Sequence, residues 1–437
     1  MQSLKDARGL PVMSGSAAEL DAIDTFTARL LRLDPGLEAI LEDAARFPAT
    51  PMIQLLAASL CLFGQTPASD SSATAYLDAA AAAMTGEREV RLHQALSLWA
   101  GQDHLGAVAA LEAITEVWPT DLLAAKIAEF QYFVLGQQHE SARFLAHMRR
   151  LHAANSDHPD FLSMLAFAHE LHGDVEDARR VVERSLALEA RNPWADHCVA
   201  HLHLRTGDSE RAIAVMQGLL PVWETTARFI HGHNAWHLAV AKLDRLDRDG
   251  AMDLFHRHVW GFSPDFVAEQ IDAIALLWRL DMAGGAADLP WGELADRAEQ
   301  RIAAQYMPFL DAHYAYALAR AGRNDALQAL LANVDARSAA TDAEAPRSWA
   351  PVGRSLVHAS ACLARGDAAT SARLLGPVIA DVAVVGGSDA QVDLFRQAYF
   401  HALVGSGRKA DARGYWTAVI GDRPPTPLDR QRLALAA

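Results

Sequence analysis

Stretches of helical length with an apolar face alternate along this chain with short polar turns that contain glycine. The segments Gly173–Ala178 and Gly207–Ala212 align at an offset of 34 residues, and the same offset places Pro159 over Pro193. Glycine ends a helix at no steric cost because it enters the left-handed conformation, and a small alanine early in the next helix permits close approach. The pattern therefore predicts a hairpin of two helices that repeats along the chain.

The glycine turn recurs from one end of the chain to the other. Its positions are Gly64, Gly101, Gly136, Gly173, Gly207, Gly284, Gly322, Gly366 and Gly407. One further turn near Leu246, followed by Ala251 at the usual spacing, completes intervals of 34 to 44 residues. This period is typical of tetratricopeptide repeats, in which stacked hairpins share one core. We predict an all-α, tetratricopeptide-like α-solenoid of about ten helical hairpins forming one superhelix.

Residues 1–421 are predicted to form this single solenoid, with the best-matching repeats at 157–260, and residues 422–437 a C-terminal tail that leaves it. The polar stretch Asp335–Arg347 is interpreted as a long loop between hairpins. No strand is predicted, because the β-branched run Val382–Val385 is followed by two glycines and reads equally well as a helix end or a loop.

The net charge of −15 disfavours nucleic acid and anionic membrane surfaces, since both need clustered cations. Cys61, Cys198 and Cys362 stand far apart, without a CxxC pair, which fits a reducing compartment. The first residues lack the apolar stretch of a signal peptide, and no run reaches the roughly 18 apolar residues of a membrane helix. We expect a cytoplasmic protein without a membrane span.

Histidines and tryptophans concentrate at the positions that face the concave groove in this kind of repeat, the second, fifth and ninth of each first helix. Counting back from the turn glycines gives the lining residues Asp160, Phe167, Trp194, His197, His201, His233 and Trp236, with His237 beside them. Because neighbouring units supply these side chains, we predict that they form one patch. Any single histidine is more often a packing residue, so the prediction rests on their convergence.

Three kinds of chemistry suit such a patch. The pairs His197/His201 and His233/His237 have the i, i+4 spacing of two metal ligands on one helix face, but no HExxH motif or completing carboxylate accompanies them. Imidazoles also serve general acid–base catalysis near neutral pH. Simple binding of a small molecule or peptide is the third reading. No P-loop, GxGxxG or GxSxG motif is present, and no cofactor is predicted.

Two further residues are candidates for contact with a ligand. His313 falls at the same repeat position as His237, where packing is the simpler interpretation. Asp389 lies in the run Gly386–Gln391, which reads as a helix N-terminus capped by Ser388, with backbone amides that could hold an anion.

Several of these segments resemble the tetratricopeptide repeat protein 38 family. They are Asn192–His197, His231–Leu238, Leu276–Leu280, Asp311–His313 and Gly386–Gln391. The resemblance spans about residues 150 to 400 and implies a helical-repeat fold with these same histidines and tryptophans, but no particular reaction. It also implies a histidine where this chain has Asp389, so the chemistry or ligand at that loop is expected to differ here.

The resulting hypothesis is a solenoid whose inner face forms a histidine- and tryptophan-lined pocket for a small organic molecule. His197, His201, His233 and His237 would handle protons in lyase- or hydrolase-type chemistry, and would be the ligands if a metal were bound. The alternative is a tetratricopeptide scaffold that binds a partner protein or peptide along its groove. A homodimer through apolar side chains between Tyr399 and Trp416 is a further expectation.

Overall fold

The computed structural model describes residues 2–284, 289–340 and 348–437 of the chain. These residues are almost entirely helical, and they divide into two compact units. The first unit comprises Met1–Leu135, Glu140–Cys198 and Thr225–Ile230, and the second comprises Gly136–His139, Val199–Glu224 and His231–Ala437. The prediction of an all-α protein is confirmed.

The first unit contains ten complete helices. They are α1 (Ala17–Arg32), α2 (Ala39–Arg46), α3 (Pro51–Leu62), α4 (Pro67–Ala83), α5 (Glu87–Ala100), α6 (His104–Val117), α7 (Leu122–Leu135), α8 (Ser141–Asn155), α9 (Pro159–His172) and α10 (Val175–Leu188). Helices α11 (Pro193–Thr206) and α13 (Arg228–Asp244) begin in the first unit and end in the second.

The described part of the second unit contains the remaining helices. They are α12 (Ser209–Trp223), α14 (Arg248–Leu254) continued by the π-helix Phe255–Val259, α15 (Val267–Met282), α16 (Trp291–Glu299), α17 (Pro308–Arg320), α18 (Asn324–Ala339), the π-type turn Ser348–Gly353, α19 (Arg354–Ala364), α20 (Ala368–Leu375), the 3-10 helix Ile379–Val385, α21 (Asp389–Gly405), α22 (Lys409–Ile420) and α23 (Pro427–Leu435).

The helices from α3 to α22 follow one another as ten hairpins, each with the predicted turn between its two members. Seven turn glycines have positive φ, and the predicted hidden turn also has a left-handed residue, Leu246 at φ 65°. At Gly64 and Gly101 the left-handed residue is the following glutamine, Gln65 or Gln102. Where an alanine stands five residues after the turn, at Ala178, Ala212, Ala251 and Ala412, it is 0% exposed, so these hairpins close tightly around it.

Within the second unit, the first helices of successive hairpins pack side by side. Helix α15 contacts α17, α17 contacts α19, α19 contacts α21, and α21 returns to contact α15. In the first unit α3 likewise contacts both α1 and α5, and α7 contacts α1 and α9. A first helix is therefore covered on several sides, which explains why α15 and α17 are buried almost all round.

Three expectations need correction. The strands Gln2–Lys5 and Pro11–Ser14 form an antiparallel hairpin that was not predicted. Asp6, in the turn between the strands, forms an ion pair with Arg88. The predicted loop Asp335–Arg347 is partly helical. Its residues up to Ala339 belong to α18, because Val334 and Ser338 continue the buried face of that helix. Residues 341–347 lie outside the described residues.

The C-terminal tail does not leave the repeats. Its helix α23 packs on α22, where Asp429 accepts a hydrogen bond from Trp416 Nε1 at 2.9 Å. Arg432 of the same helix lies over the Trp416 ring and donates to Gln397. This contact buries Trp416, and Tyr399 is only 9% exposed. The homodimer stays a prediction. The single solenoid over residues 1–421 stays a prediction.

No single helix in the described residues is both long and apolar enough to span a membrane. One pair of short helices, Ala368–Leu375 and Ile379–Val385, meets that test together by length and composition, with a bend of 79° between them.

Candidate functional site

An aromatic group surrounds His197 in the first unit. The Trp194 and His197 rings stack with centroids 4.4 Å apart, since both project from the first turns of α11. Phe167 of α9 contacts both rings edge to face, at 5.3 and 4.9 Å. The structure thus brings three of the predicted residues together.

A buried ion pair supports this aromatic group from α7. Glu129 accepts hydrogen bonds from Trp194 Nε1 at 2.9 Å and from Lys126 Nζ at 2.6 Å, and the Lys126 ammonium lies 4.1 Å from the centre of the Trp194 ring. Asp160, also predicted, is buried at the start of α9, and that burial raises the pKa of its carboxyl to about 6. The first unit therefore holds a fixed tryptophan with charged neighbours.

A row of three imidazoles lies in the second unit. His237 of α13 has its ring centroid 4.7 Å from that of His201 on α11 and 4.8 Å from that of His233, one turn earlier on α13. His201 is 1% exposed, His237 0% and His233 7%. The i, i+4 spacing places His233 and His237 on one face of the helix, as predicted. We call His201, His237 and His233 together the histidine row.

A carboxylate lies at each end of the histidine row. Asp389, the first residue of α21, is 3.0 Å from His201 Nδ1, and Asp272 of α15 is 2.9 Å from His233 Nδ1. A carboxylate only accepts hydrogen bonds, so each of these histidines, in its neutral form, carries the proton on the Nδ1 that faces the carboxylate and its lone pair on Nε2. This arrangement sets the tautomer of a general base and, equally, of a metal-binding histidine.

The charges of the row are set by burial and by two arginines. Burial lowers the pKa of His237 well below its usual value, and the nearby cationic forms of His201 and His233 and the Arg279 guanidinium lower it further. Burial alone would raise the pKa of Asp389, but hydrogen bonding from His201 and the charge of Arg205, 2.6 Å away, hold it below its usual range. Asp389 therefore stays ionised beside the row, and His237 in the middle of the row is neutral at neutral pH.

Trp236 and Arg279 lie beside the row. The Trp236 ring is stacked with that of His233 at 5.5 Å and is fully buried, and the Arg279 guanidinium lies 5.1 Å from the centre of the Trp236 ring. Arg279 reaches α21, where its Nη2 donates to the carbonyl oxygen of Ala390 at 2.8 Å. The resulting surface combines a flat aromatic face with a buried positive charge.

His313 lies in a separate aromatic cluster of the second unit. Its Nδ1 donates to the carbonyl oxygen of Phe309 at 2.7 Å, and its ring contacts Trp278, Phe309 and Phe395. Burial lowers its pKa to about 3. These contacts are those of a packing histidine, the simpler interpretation given to it from the sequence.

Two residues of the site were missed by the sequence reasoning. Asp272 does not occupy a lining position of the repeat. The only feature of the sequence that could have indicated a role for it is a charged residue within the otherwise apolar run Ile271–Trp278. Arg279 carries the same signal, one residue after that run. Asp389 was predicted, and its helix begins as expected, with Ser388 and Gln391 capping each other's backbone amides.

The metal-binding capacity of the row can be described within the second unit. Ring nitrogens of His201 and His237 lie within 4.8 Å of each other, which provides two nitrogen ligands of the kind that zinc and copper accept. The Nδ1 contact of His201 with Asp389 is the usual support for such a ligand. Metal binding by the four predicted histidines together stays a prediction.

Comparisons with known proteins give limited further information. No family model matches this sequence. A crystal structure of the tetratricopeptide repeat domain of P58(IPK) is similar over 80% of this chain and 97% of that chain, at 12% sequence identity and a TM-score of 0.23. A likeness at so low a score supports no inference about function, and the helical-repeat fold rests on the helix pairs themselves.

Proposed function

We propose that this helical-repeat protein binds a small organic molecule at the histidine row and uses His201, His233 and His237 to move protons on it. The observation that carries the proposal is the sequence of contacts Asp389, His201, His237, His233, Asp272, in which a buried chain of imidazoles ends in a carboxylate on each side. Membership of the tetratricopeptide repeat protein 38 family and chemistry of a lyase or hydrolase type are parts of this proposal.

The energetic cost of the row supports a functional role. Buried ionisable groups cost free energy even when they are paired, and apolar residues of the same volume often give equal or greater stability. Elsewhere in this chain the core is filled mainly by Leu, Ala and aromatic side chains, with single buried histidines such as His147 and His313, whereas the row places three imidazoles side by side. Two imidazoles with carboxylate-fixed tautomers and a third kept neutral by burial are suited to general acid–base catalysis.

The aromatic group of the first unit is a second candidate for ligand contact. Trp194 presents a flat surface that Glu129 and Lys126 hold in place, with His197 stacked on it. We include Trp194, His197, Phe167 and Asp160 in the proposal as binding residues, with His197 as a further proton-handling group.

The test is conversion of small molecules in a metabolite extract. The purified full chain is incubated with the extract, and mass spectrometry records which compounds are depleted and which appear. We expect the wild type to consume at least one compound, and His233→Gln and His237→Gln to lose that conversion while keeping the helical circular dichroism. His147→Gln is the matched control, since His147 is also 0% exposed but is bonded to Thr115 and Tyr132 in the first unit.

Two outcomes would contradict the proposal. Unfolding of both histidine variants alongside a folded His147→Gln would mean that the row is structural. Wild-type protein that neither binds nor converts any compound, and that co-purifies with a stoichiometric partner, would favour the alternative of a scaffold that binds proteins along its groove.

A further inference from the structure

Among the described residues, three arginines are deeply buried: Arg88, Arg279 and Arg432. Arg88 and Arg432 each have a carboxylate partner, and Arg279 has none among these residues. It is 3% exposed, and within that part of the chain its hydrogen bonds go only to the carbonyl oxygens of Ala275 and Ala390. Arg88, buried to the same degree, is held by both Asp6 and Asp121. Within the described residues, the guanidinium of Arg279 therefore contacts two neutral carbonyl groups and the Trp236 ring, and it forms no ion pair.

Such a charge is costly to bury. An unpaired guanidinium loses its hydration without the compensating attraction of an anion, which is why buried charges in proteins are usually paired. Burial lowers the pKa of Arg279 to about 10, and Asp393, Asp244 and Asp272 offset that effect only through their charge at longer range. The Arg279 guanidinium therefore stays cationic at neutral pH, and an anion bound beside it would offset part of the cost of its burial.

Hydrogen-bond donors beside this charge also lack acceptors. In the part of the chain that the structure describes, neither Arg279 Nε nor the indole Nε1 of Trp236 donates a hydrogen bond. Both groups donate only, and the guanidinium lies over the Trp236 ring. A buried cation and an adjacent indole N–H together make a donor set for which the matching ligand group is an oxyanion.

We propose that the molecule bound at the histidine row carries an oxyanion group, a carboxylate or a phosphate, which Arg279 holds in an ion pair. This inference rests on the proposed function and names the substrate class of the same site. Arg279 would fix the charged end of the ligand, and the neutral His237, whose ring contacts Trp236 at 4.8 Å, would lie next to the bound group. A planar carboxylate suits the guanidinium fork.

Thermal unfolding with defined probes tests the inference. Sodium acetate, inorganic phosphate and neutral acetamide are each added to the full chain at constant ionic strength, and Kd is then measured by calorimetry. We expect one of the two anions to raise the wild-type Tm by roughly 3 °C or more at saturation, and acetamide to have no effect. Acetate alone would identify a carboxylate site, and phosphate alone a phosphate site.

Substitutions locate the effect. Arg279→Met should abolish the shift, and Trp236→Phe should weaken binding by roughly ten-fold through loss of one N–H donor to a charged acceptor. Arg432→Met is the matched control, because Arg432 is also 3% exposed and lies over a tryptophan, Trp416, but already has Gln397 and Asp429 as partners. It should keep the anion response. If Arg279→Met does not fold, Arg279→Lys replaces it, with a reduced response expected.

The inference and the proposed function fail in different ways. Absence of any anion response in the wild type, or an undiminished response in the Arg279 variants, overturns the inference even where the metabolite extract is still converted. An anion response that depends on Arg279, with no conversion of the extract, supports the inference for a binding protein and removes the catalytic part of the proposed function.

Discussion

Replacing Asp389 by asparagine tests the charge at one end of the histidine row. The carboxylate accepts hydrogen bonds from Arg205 at 2.6 Å and from the Ala390 amide at 2.8 Å, and it lies 3.0 Å from His201 Nδ1. An asparagine retains one acceptor oxygen and turns an NH2 group toward a donor, either Arg205 or His201. The variant therefore loses one charge-assisted hydrogen bond and gains a repulsive contact.

The expected loss of stability follows from these contacts. A hydrogen bond to a charged group contributes roughly 1.5–3 kcal/mol, and removing one partner of a buried pair costs more. The Asp389 side chain is 15% exposed and that of Arg205 is 26% exposed, so water compensates in part. We expect a decrease in the free energy of unfolding of about 2 kcal/mol for Asp389→Asn at pH 7.

The pH dependence gives an independent check. The pKa of Asp389 is lowered in the folded protein, so its contribution is complete above the unfolded pKa of about 4 and is lost as the pH falls through the folded value. The difference between wild type and variant, measured by urea unfolding at 222 nm, should be constant from pH 7 to about 5 and decrease below pH 4. Equal stability at pH 7, or a difference independent of pH, would refute the reasoning. Asp177→Asn, at an exposed pair with Arg180, is the control and should have no measurable effect.

Three further predictions concern other parts of the molecule. Lys126→Met should destabilise the protein by about 3 kcal/mol in thermal unfolding, because it leaves Glu129 as a buried unpaired charge. Burial lowers the pKa of His147 to about 4, so at mildly acidic pH the unfolded chain takes up a proton that the folded chain does not. Between pH 7.5 and 5, the free energy of unfolding measured in urea titrations should therefore fall by about 2 kcal/mol more for the wild type than for His147→Asn. Gly136→Ala should destabilise far more than Gly173→Ala in the same assay, because both have positive φ but only at Gly136 would a Cβ collide with a carbonyl oxygen, that of Ala383.

The repeat could be predicted from the sequence because it depends on local signals. A glycine or another left-handed residue recurs at each turn, including the hidden turn at Leu246, and at most turns a small residue follows five positions later. The N-terminal hairpin gave no such signal: its strands are four residues each and depend on distant contacts such as that of Met13 with Glu89. Nor did the sequence show that α23 would cover Trp416.

The candidate site could be predicted for residues at or beside the lining positions of the repeat, such as His201 of α11 and His237 of α13. The spacing of His233 and His237 on α13 indicated a common face, and the structure confirms their contact. Asp272 and Arg279 lie on α15 and reach the row from another hairpin, so no short-range pattern connects them with it. The only indication in the sequence was a charged residue inside an apolar helix. A buried charge also occurs at structural ion pairs such as those of Arg88, so it does not by itself identify a site.

Asp389 limits what the resemblance to the tetratricopeptide repeat protein 38 family can imply for this chain. That resemblance implies a histidine at the position, but a histidine cannot supply the negative charge that here pairs with both Arg205 and His201. An imidazole in place of this carboxylate would leave two imidazoles and a guanidinium at the end of the row, and His201 would lose the acceptor that fixes its tautomer. We therefore expect Asp389→His to be less stable than Asp389→Asn in the same urea assay, because it adds steric bulk and a second proton acceptor without an anion. A variant as stable as the wild type, with His201 still protonated on Nδ1 in nitrogen-15 spectra, would show that the loop accommodates either residue.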